Sequence, residues 1–320
     1  MKFGVIGYGS IGQRHIRNLL AIGYDDIVLL RNIGSGNEYN FSEYSEMKAL
    51  LDAQPDAVII ASPTSLHAEY LTQVLEHDVH VLAEKPLVAT FEEWQSLQNQ
   101  LVNYKGIGMT AYNMRFHPCV REIQQILVGD ELGKIYSARF FVGQYLPDWR
   151  LGKDYSRSYS ANREMGGGVL FDLIHEIDLA CYLVGEPVGR MVSQVDSVSD
   201  LKIDTEDLAE LLYRTEDKSF VSIHLDYLTR NYQRYIEIVG ERGSLQTDLY
   251  SNKVTVISEN GETDESFFNE FSRNNMYLDM LSGFITSLEE NSKPPISLNE
   301  GLISNRIAID IRNKVYYENS

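Results

Sequence analysis

The run Met1-Lys-Phe-Gly-Val-Ile-Gly-Tyr-Gly-Ser-Ile-Gly12 constrains this chain more than any other stretch. A short apolar strand, Phe3 to Ile6, enters Gly7-x-Gly9-x-x-Gly12, and a helical pattern with Ile16, Leu19 and Leu20 on one face follows at once. So short a link between strand and helix needs backbone that side chains would block. Gly7 permits the sharp turn, Gly9 removes the side chain that would obstruct a pyrophosphate, and Gly12 lets helix and strand pack closely. The first-turn amides of the helix, at the positive end of its dipole, then face an anion. Glycine triplets recur by chance, but the strand before and the helix after are the context that a dinucleotide site requires. Gly7, Gly9, Ser10, Ile11 and Gly12 are therefore the first expected cofactor contacts.

The strand-helix alternation continues, which predicts a mostly parallel sheet. After Gly23, Ile27 to Arg31 reads as a second buried strand. An NAD site commonly places a carboxylate about 20 residues beyond the glycine turn to bind the ribose 2′-hydroxyl, whereas NADP sites place an Arg nearby. Here that position holds Arg31-Asn32, with no carboxylate until Glu38, so NADP is preferred as cofactor, with NAD possible. Asp56 to Ala61 is a third strand, and Ser62, Pro63, Thr64 and His67 in the turn after it are expected beside the cofactor. Loops after strand ends line the ligand crevice of such a sheet. Val79 to Ala83 is a fourth strand, ending in Glu84-Lys85-Pro86. A lysine stem buried there lowers the barrier to proton transfer if desolvation brings its pKa down, or its charge polarises a hydroxyl or carbonyl. The alternative is a solvated Glu-Lys pair at the strand end. A helix from Phe91 to Tyr104 and a strand from Ile107 to Ala111 complete a dinucleotide-binding domain over residues 1–118.

Residues 119–320 change character, and are expected to bind substrate and oligomerise. A strand from Ile135 to Gln144 precedes a long polar, aromatic loop carrying Trp149, Arg150 and Tyr155, which suit a polar ring-shaped ligand or an exposed lid. Gly166-Gly-Gly then opens a helix on which Asp172 and His175 lie about 60° apart, on one face, with Asp178 continuing the row. Such a pair shares a proton relay, holds a substrate hydroxyl, or ligates a divalent metal. From Arg190 to Ser258 turn signals separate alternating segments of an antiparallel sheet with one face to spare for the tyrosine-rich run Tyr227 to Tyr235 or for a subunit interface. Two helices, Asn269 to Glu290 and Asn299 to Tyr317, close the chain around Pro294-Pro295.

Length and charge bound the function. At 320 residues two domains are expected. A formal net charge of -18 argues against a nucleic-acid or membrane-surface binder, which needs a basic face. Cys119 and Cys181 are too few for a disulfide framework or a cysteine metal site. No signal peptide precedes the first strand and no apolar run is long enough to span a bilayer, so a cytoplasmic protein is expected.

Taken together the motifs resemble those of the Gfo/Idh/MocA family, the glucose-fructose oxidoreductase and inositol dehydrogenase group, over nearly the whole chain. The resemblance rests on Gly7-x-Gly9-x-x-Gly12, the Ser62-Pro63-Thr64…His67 turn, Glu84-Lys85-Pro86, Arg115-Phe116-His117-Pro118, the triple glycine with Asp172 and His175, and Gly240-Glu-Arg-Gly243. It implies an amino-terminal Rossmann domain with a doubly wound parallel sheet, and an α/β carboxyl-terminal domain with an open, mostly antiparallel sheet used for dimers or tetramers. It also implies hydride exchange between NAD(P) and a sugar, nucleotide-sugar or cyclitol carbon, with no metal. Lys85 would be the catalytic lysine, and Asp172 and His175 the substrate-side pair, the acid/base role lying with His175 or Lys85. Glu84 and Arg115 join the expected cofactor contacts, and Asn113 joins Lys85, Trp149, Arg150, Tyr155, Asp172 and His175 on the substrate side. One departure stands out, because many relatives place the histidine four residues after the aspartate, where this chain has Glu176. The form of the first motif resembles members associated with bacterial surface sugars. The alternatives are a reductase of a non-sugar carbonyl, imine or conjugated double bond, and a non-catalytic NAD(P)-binding regulator.

Overall fold

The structure, a computed structural model, describes residues 1–32, 37–149, 152 and 154–313. In chain order its elements begin β1 (Phe3–Ile6), α1 (Ser10–Ala21), β2 (Ile27–Leu30), β3 (Ser42–Tyr44), α2 (Met47–Asp52), β4 (Ala57–Ile60), α3 (His67–Glu76), β5 (His80–Ala83), α4 (Phe91–Leu101) and β6 (Gly108–Thr110). There follow α5 (Pro118–Val128), β7 (Ile135–Gly143), α6 (Val169–Asp172), α7 (His175–Leu183), β8 (Val192–Asp196), β9 (Leu208–Arg214) and β10 (Phe220–Asp226). The chain ends with β11 (Gln233–Gly240), β12 (Gly243–Asp248), β13 (Lys253–Ser258), β14 (Thr263–Phe267), α8 (Arg273–Glu290) and α9 (Leu298–Arg312). No helix of the described residues is long and apolar enough to cross a membrane.

The chain divides into two compact units. The first comprises Met1–Asn113 with Arg273–Arg306, and the second Met114–Ser272 with the chain from Ile307. The expected boundary at residue 118, with everything after it in the second domain, differs from this division because residues 273–306 belong with the dinucleotide unit. Buried polar groups hold them there. The Asn305 amide accepts from Leu87 N–H at 3.1 Å and donates to the Val88 carbonyl at 3.0 Å. Tyr112 and Ser304 share a 2.6 Å hydroxyl contact, and the Trp94 indole donates to the Leu302 carbonyl at 3.1 Å. Left unmade inside the protein, each of these groups would cost about 1–3 kcal/mol.

In the first unit six parallel strands run in the order β3-β2-β1-β4-β5-β6. β1, β2 and β4 are buried at every residue, as strands covered by helices on both faces must be. β1 pairs with both β2 and β4, so the strand order reverses there, and the crevice outside the carboxyl ends is where such sheets bind ligands. The glycine turn after β1, the Ser62 turn after β4 and Glu84-Lys85 after β5 all lie at that edge. β3, a three-residue edge strand with one exposed and two half-buried positions, carries no apolar signal and was not expected. The opposite edge, β6, is covered by chain from the last third: Thr110 N–H donates to the Ile296 carbonyl at 3.0 Å.

The second unit holds an eight-stranded sheet in the order β14-β13-β12-β11-β7-β10-β9-β8. All neighbours are antiparallel except β7 and β10. β9 alternates buried and exposed residues, the pattern of a sheet with one covered face. Cross-strand register puts Val192, Leu212, Phe220, Val239 and Phe267 on the same, other face, spread across the sheet, where they are exposed. The single helix expected after the triple glycine is two short ones, α6 and α7, interrupted at Leu173-Ile174. Packing requires glycine at two of the three positions. A side chain on Gly167 would overlap the Tyr159 carbonyl, and one on Gly168, whose φ is 105°, would overlap the Glu206 carboxylate.

Candidate active site

The glycine turn has the geometry its sequence implies. Gly7 sits at φ 97°, and a Cβ there would come within 2.6 Å of the Ala61 carbonyl oxygen. A Cβ on Gly12 would overlap the Gly7 carbonyl, so helix and strand approach as only glycine allows. Gly9 differs, because a Cβ there meets nothing within 4 Å. Its bareness serves no internal packing. Gly9 is also the N-cap of α1, where no side chain caps the helix and no acidic residue stands in the first turn. An open cradle at an uncapped helix start suits a pyrophosphate, and these residues fit a dinucleotide. Ser10 is exposed and Ile11 half-buried beside it.

Two histidines brace the neighbouring turns. His15 on α1 is fully buried, with Nε2 2.9 Å from Glu84 Oε1, and so ties the glycine-turn helix to the end of β5. Sequence reasoning missed it, although its place in the first amphipathic helix, six residues past Gly9, was visible. His67 is 2% exposed, with Nδ1 2.7 Å from the Pro86 carbonyl and Nε2 2.9 Å from the Ser62 carbonyl. Burial lowers its pKa against those two contacts. With both ring nitrogens turned to backbone, His67, expected beside the cofactor, joins the Ser62 turn to the Lys85-Pro86 turn. Lys85, half-buried, therefore stands between two anchored neighbours. Thr64 is buried, Ser62 half-buried and Pro63 exposed in the same turn, while Asn113 is buried after β6.

Arg31, expected as the 2′-phosphate ligand, follows the last residue of β2 and is half-buried. Its Nε donates to Glu43 Oε2 at 3.0 Å, and its guanidinium lies 4.7 Å from the centre of the Tyr8 ring. Asn32 next to it is exposed.

In the second unit Asp172 Oδ2 accepts from the Tyr227 hydroxyl at 3.1 Å. Burial, with the Asp172 charge beside it, raises the Tyr227 pKa well above its ordinary value, so the phenol stays a donor. The Trp149 ring meets Tyr227 edge-on at 5.3 Å, while its indole donates to the Gln144 carbonyl at 3.1 Å. Trp149, Tyr227 and Asp172 thus form one connected group, and the sequence marked Tyr227 only as part of a tyrosine-rich run. His175, 9% exposed, begins α7. The next positions of that helix belong to its packing. Glu176, 2% exposed, receives Arg234 through Nε at 2.5 Å and a terminal nitrogen at 3.0 Å. Asp178, 1% exposed, receives Arg115 in the same two-pronged way at 2.9 and 2.6 Å. Arg115, expected at the cofactor, is held by Asp178 and lies 4.4 Å from the Tyr182 ring centre. Tyr155 accepts from Lys202 N–H at 3.2 Å, and Arg150 lies outside the described residues.

Known proteins resemble this chain. Residues 1–112 match the oxidoreductase family described by its NAD-binding Rossmann fold, and residues 120–246 match the GFO/IDH/MocA C-terminal domain. The chain is 26% identical over 321 residues to the myo-inositol 2-dehydrogenase of Thermotoga maritima, covering 94% of this chain and 92% of that protein. It is 34% identical over 208 residues to the levoglucosan dehydrogenase of Pseudarthrobacter phenanthrenivorans, covering 58% of this chain and 52% of that protein. A solved levoglucosan dehydrogenase in complex with NADH has the same fold, with a TM-score of 0.88 over 100% of both chains at 20% identity. Two successive matches, falling on the two sheets described above and on the glycine turn, show that this chain belongs to the Gfo/Idh/MocA family of oxidoreductases and carries that family's NAD-binding Rossmann domain.

Proposed function

We propose that this chain exchanges hydride between a nicotinamide dinucleotide and a hydroxyl- or ketone-bearing carbon of a sugar, nucleotide sugar or cyclitol. The open cradle at Gly9, on the same sheet edge as Glu84-Lys85, carries the reading. The sugar and cyclitol dehydrogenases among its relatives support the substrate class. When bound, the nicotinamide accepts or supplies the hydride. Lys85 or His175 holds and moves the proton of the reacting hydroxyl. Asp172, held through Oδ2 by the Tyr227 phenol, orients a substrate hydroxyl or the histidine, and Trp149 forms an apolar wall for a sugar ring.

Binding tests this first. Fluorescence titration with NADH should show saturable binding, and Gly9→Leu should weaken it by at least about tenfold, since its side chain enters open space that a pyrophosphate needs. Because a Cβ at this position meets no protein atom within 4 Å, the variant's melting temperature should stay near wild type. Equal affinity in the two proteins would remove the cradle from the cofactor site. Reduced-nicotinamide absorbance with a panel of sugars, cyclitols and non-sugar carbonyls then identifies the substrate class.

The reading includes a cytoplasmic homo-oligomer. The scarcity of cysteine suits a reducing compartment, and burial pushes the Cys119 thiol up to about 12. The exposed apolar residues on the open sheet face support association through that face. Leu212→Glu with Phe220→Glu is expected to convert an oligomer to monomer by light scattering at micromolar concentration. An unchanged mass would send the interface elsewhere.

A further inference from the structure

The carboxylate missing from the end of β2 arrives from the neighbouring strand. β3 pairs with β2 so that Glu43 stands opposite Leu29 and Tyr44 opposite Leu30, and Arg31 N–H donates to the Tyr44 carbonyl at 3.0 Å. This register brings Glu43 beside Arg31, the position immediately past β2 where a dinucleotide-binding fold reads the adenosine ribose.

The Glu43 carboxylate is held at both oxygens. Oε2 accepts from Arg31 Nε at 3.0 Å, and Oε1 accepts from Asn37 Nδ2 at 2.6 Å. Asn37 is itself fixed, its Oδ1 accepting from Tyr39 N–H at 3.2 Å and Phe41 N–H at 2.9 Å while Nδ2 also donates to the Phe41 carbonyl at 3.0 Å. The Arg31 and Glu43 side chains are 16% and 13% exposed. Hydrogen bonds from Asn37 and Arg31 hold the Glu43 carboxyl below its ordinary range, so the group is ionised. The Arg31 guanidinium covers Tyr8, which sits between Gly7 and Gly9, and this places the ion pair beside the glycine turn.

The corner therefore carries a cation and an anion together. A ribose 2′-hydroxyl can donate to Glu43, because a carboxylate has about four acceptor directions and the two protein contacts use only part of them. A 2′-phosphate has no proton to give at neutral pH and would face the carboxylate charge, and like charges in contact oppose binding.

We propose that Glu43 makes this chain prefer NAD(H) to NADP(H), receiving the adenosine ribose 2′-hydroxyl from an adjacent strand, while Arg31 holds the carboxylate in place. This rests on the dinucleotide reading above, and it reverses the preference for NADP that Arg31 suggests in the sequence.

The test is fluorescence titration of the full chain with NADH and NADPH separately, for wild type, Glu43→Gln, Arg31→Ala and the double variant, with circular dichroism to confirm folding. Wild type should bind NADH at least about tenfold tighter than NADPH. Glu43→Gln keeps the shape and removes the charge, and should bring NADPH to within about threefold of NADH or below it. Arg31→Ala should weaken NADH and leave NADPH no worse relative to it, and the double variant should lose the NADPH gain of Glu43→Gln. Tighter binding of NADPH by wild type, or an unchanged ratio in Glu43→Gln, would overturn the proposal and leave the dinucleotide reading intact. Binding of neither nucleotide by folded wild-type protein would instead overturn that reading.

Discussion

Lys85→Ala is expected to lower turnover about 10²–10⁴-fold while NADH affinity stays within a few-fold of wild type. The asymmetry follows from how the residue is mounted. Glu84 before it is held by His15, and the Pro86 carbonyl after it by His67, so the backbone stays in place when the lysine side chain is removed. The glycine cradle is a separate turn. Steady-state kinetics on the best substrate from the panel, with NADH titration and a melting curve on the same preparation, make the check. Lys85→Arg separates two roles, because an arginine preserves positive charge but does not give up its proton. Recovery in Lys85→Arg assigns an electrostatic role to Lys85 and leaves the proton to His175. Failure of both, with a titrating limb lost from the pH profile, assigns the proton to Lys85. Wild-type turnover in Lys85→Ala would remove it from the chemistry.

Glu176→Ala is expected to cost about 3–5 kcal/mol of folding stability, read from the urea midpoint. The Arg234 side chain is 10% exposed, and burial opposes its charge while Glu176 raises its pKa. Without the carboxylate a buried guanidinium is left uncompensated. Glu176→Leu combined with Arg234→Met removes both charges and should recover most of the loss. A cost under about 1 kcal/mol for Glu176→Ala would show that solvent reaches the arginine. The pair also accounts for the departure noted in the sequence. Position 176, where many relatives are expected to carry histidine, holds a glutamate that pairs with Arg234 in the packing of α7.

Much of the first unit was legible because its signals are local. Strand, glycine turn and helix follow one another within about 20 residues, and fully apolar runs such as Ala57 to Ile60 mark strands of a covered parallel sheet. The second sheet was legible from alternation and turn signals. What escaped were contacts between residues far apart in sequence. The break at Leu173-Ile174 lies in an apolar stretch that reads as continuous helix. The short polar strand β3 carries no apolar pattern.

The sequence by itself determined the two-sheet architecture, the dinucleotide cradle and the candidates Lys85, Asp172 and His175, because spacing along a strand or helix dictates which backbone groups face a ligand. Only the tertiary structure decided what each charged group is paired with. It gave Arg31 to Glu43, Arg115 to Asp178, Arg234 to Glu176, and His15 to Glu84. The physical reason is that a buried charge or hydrogen-bonding group must find a partner in space. That partner is set by strand register and helix packing, which no short window of sequence contains.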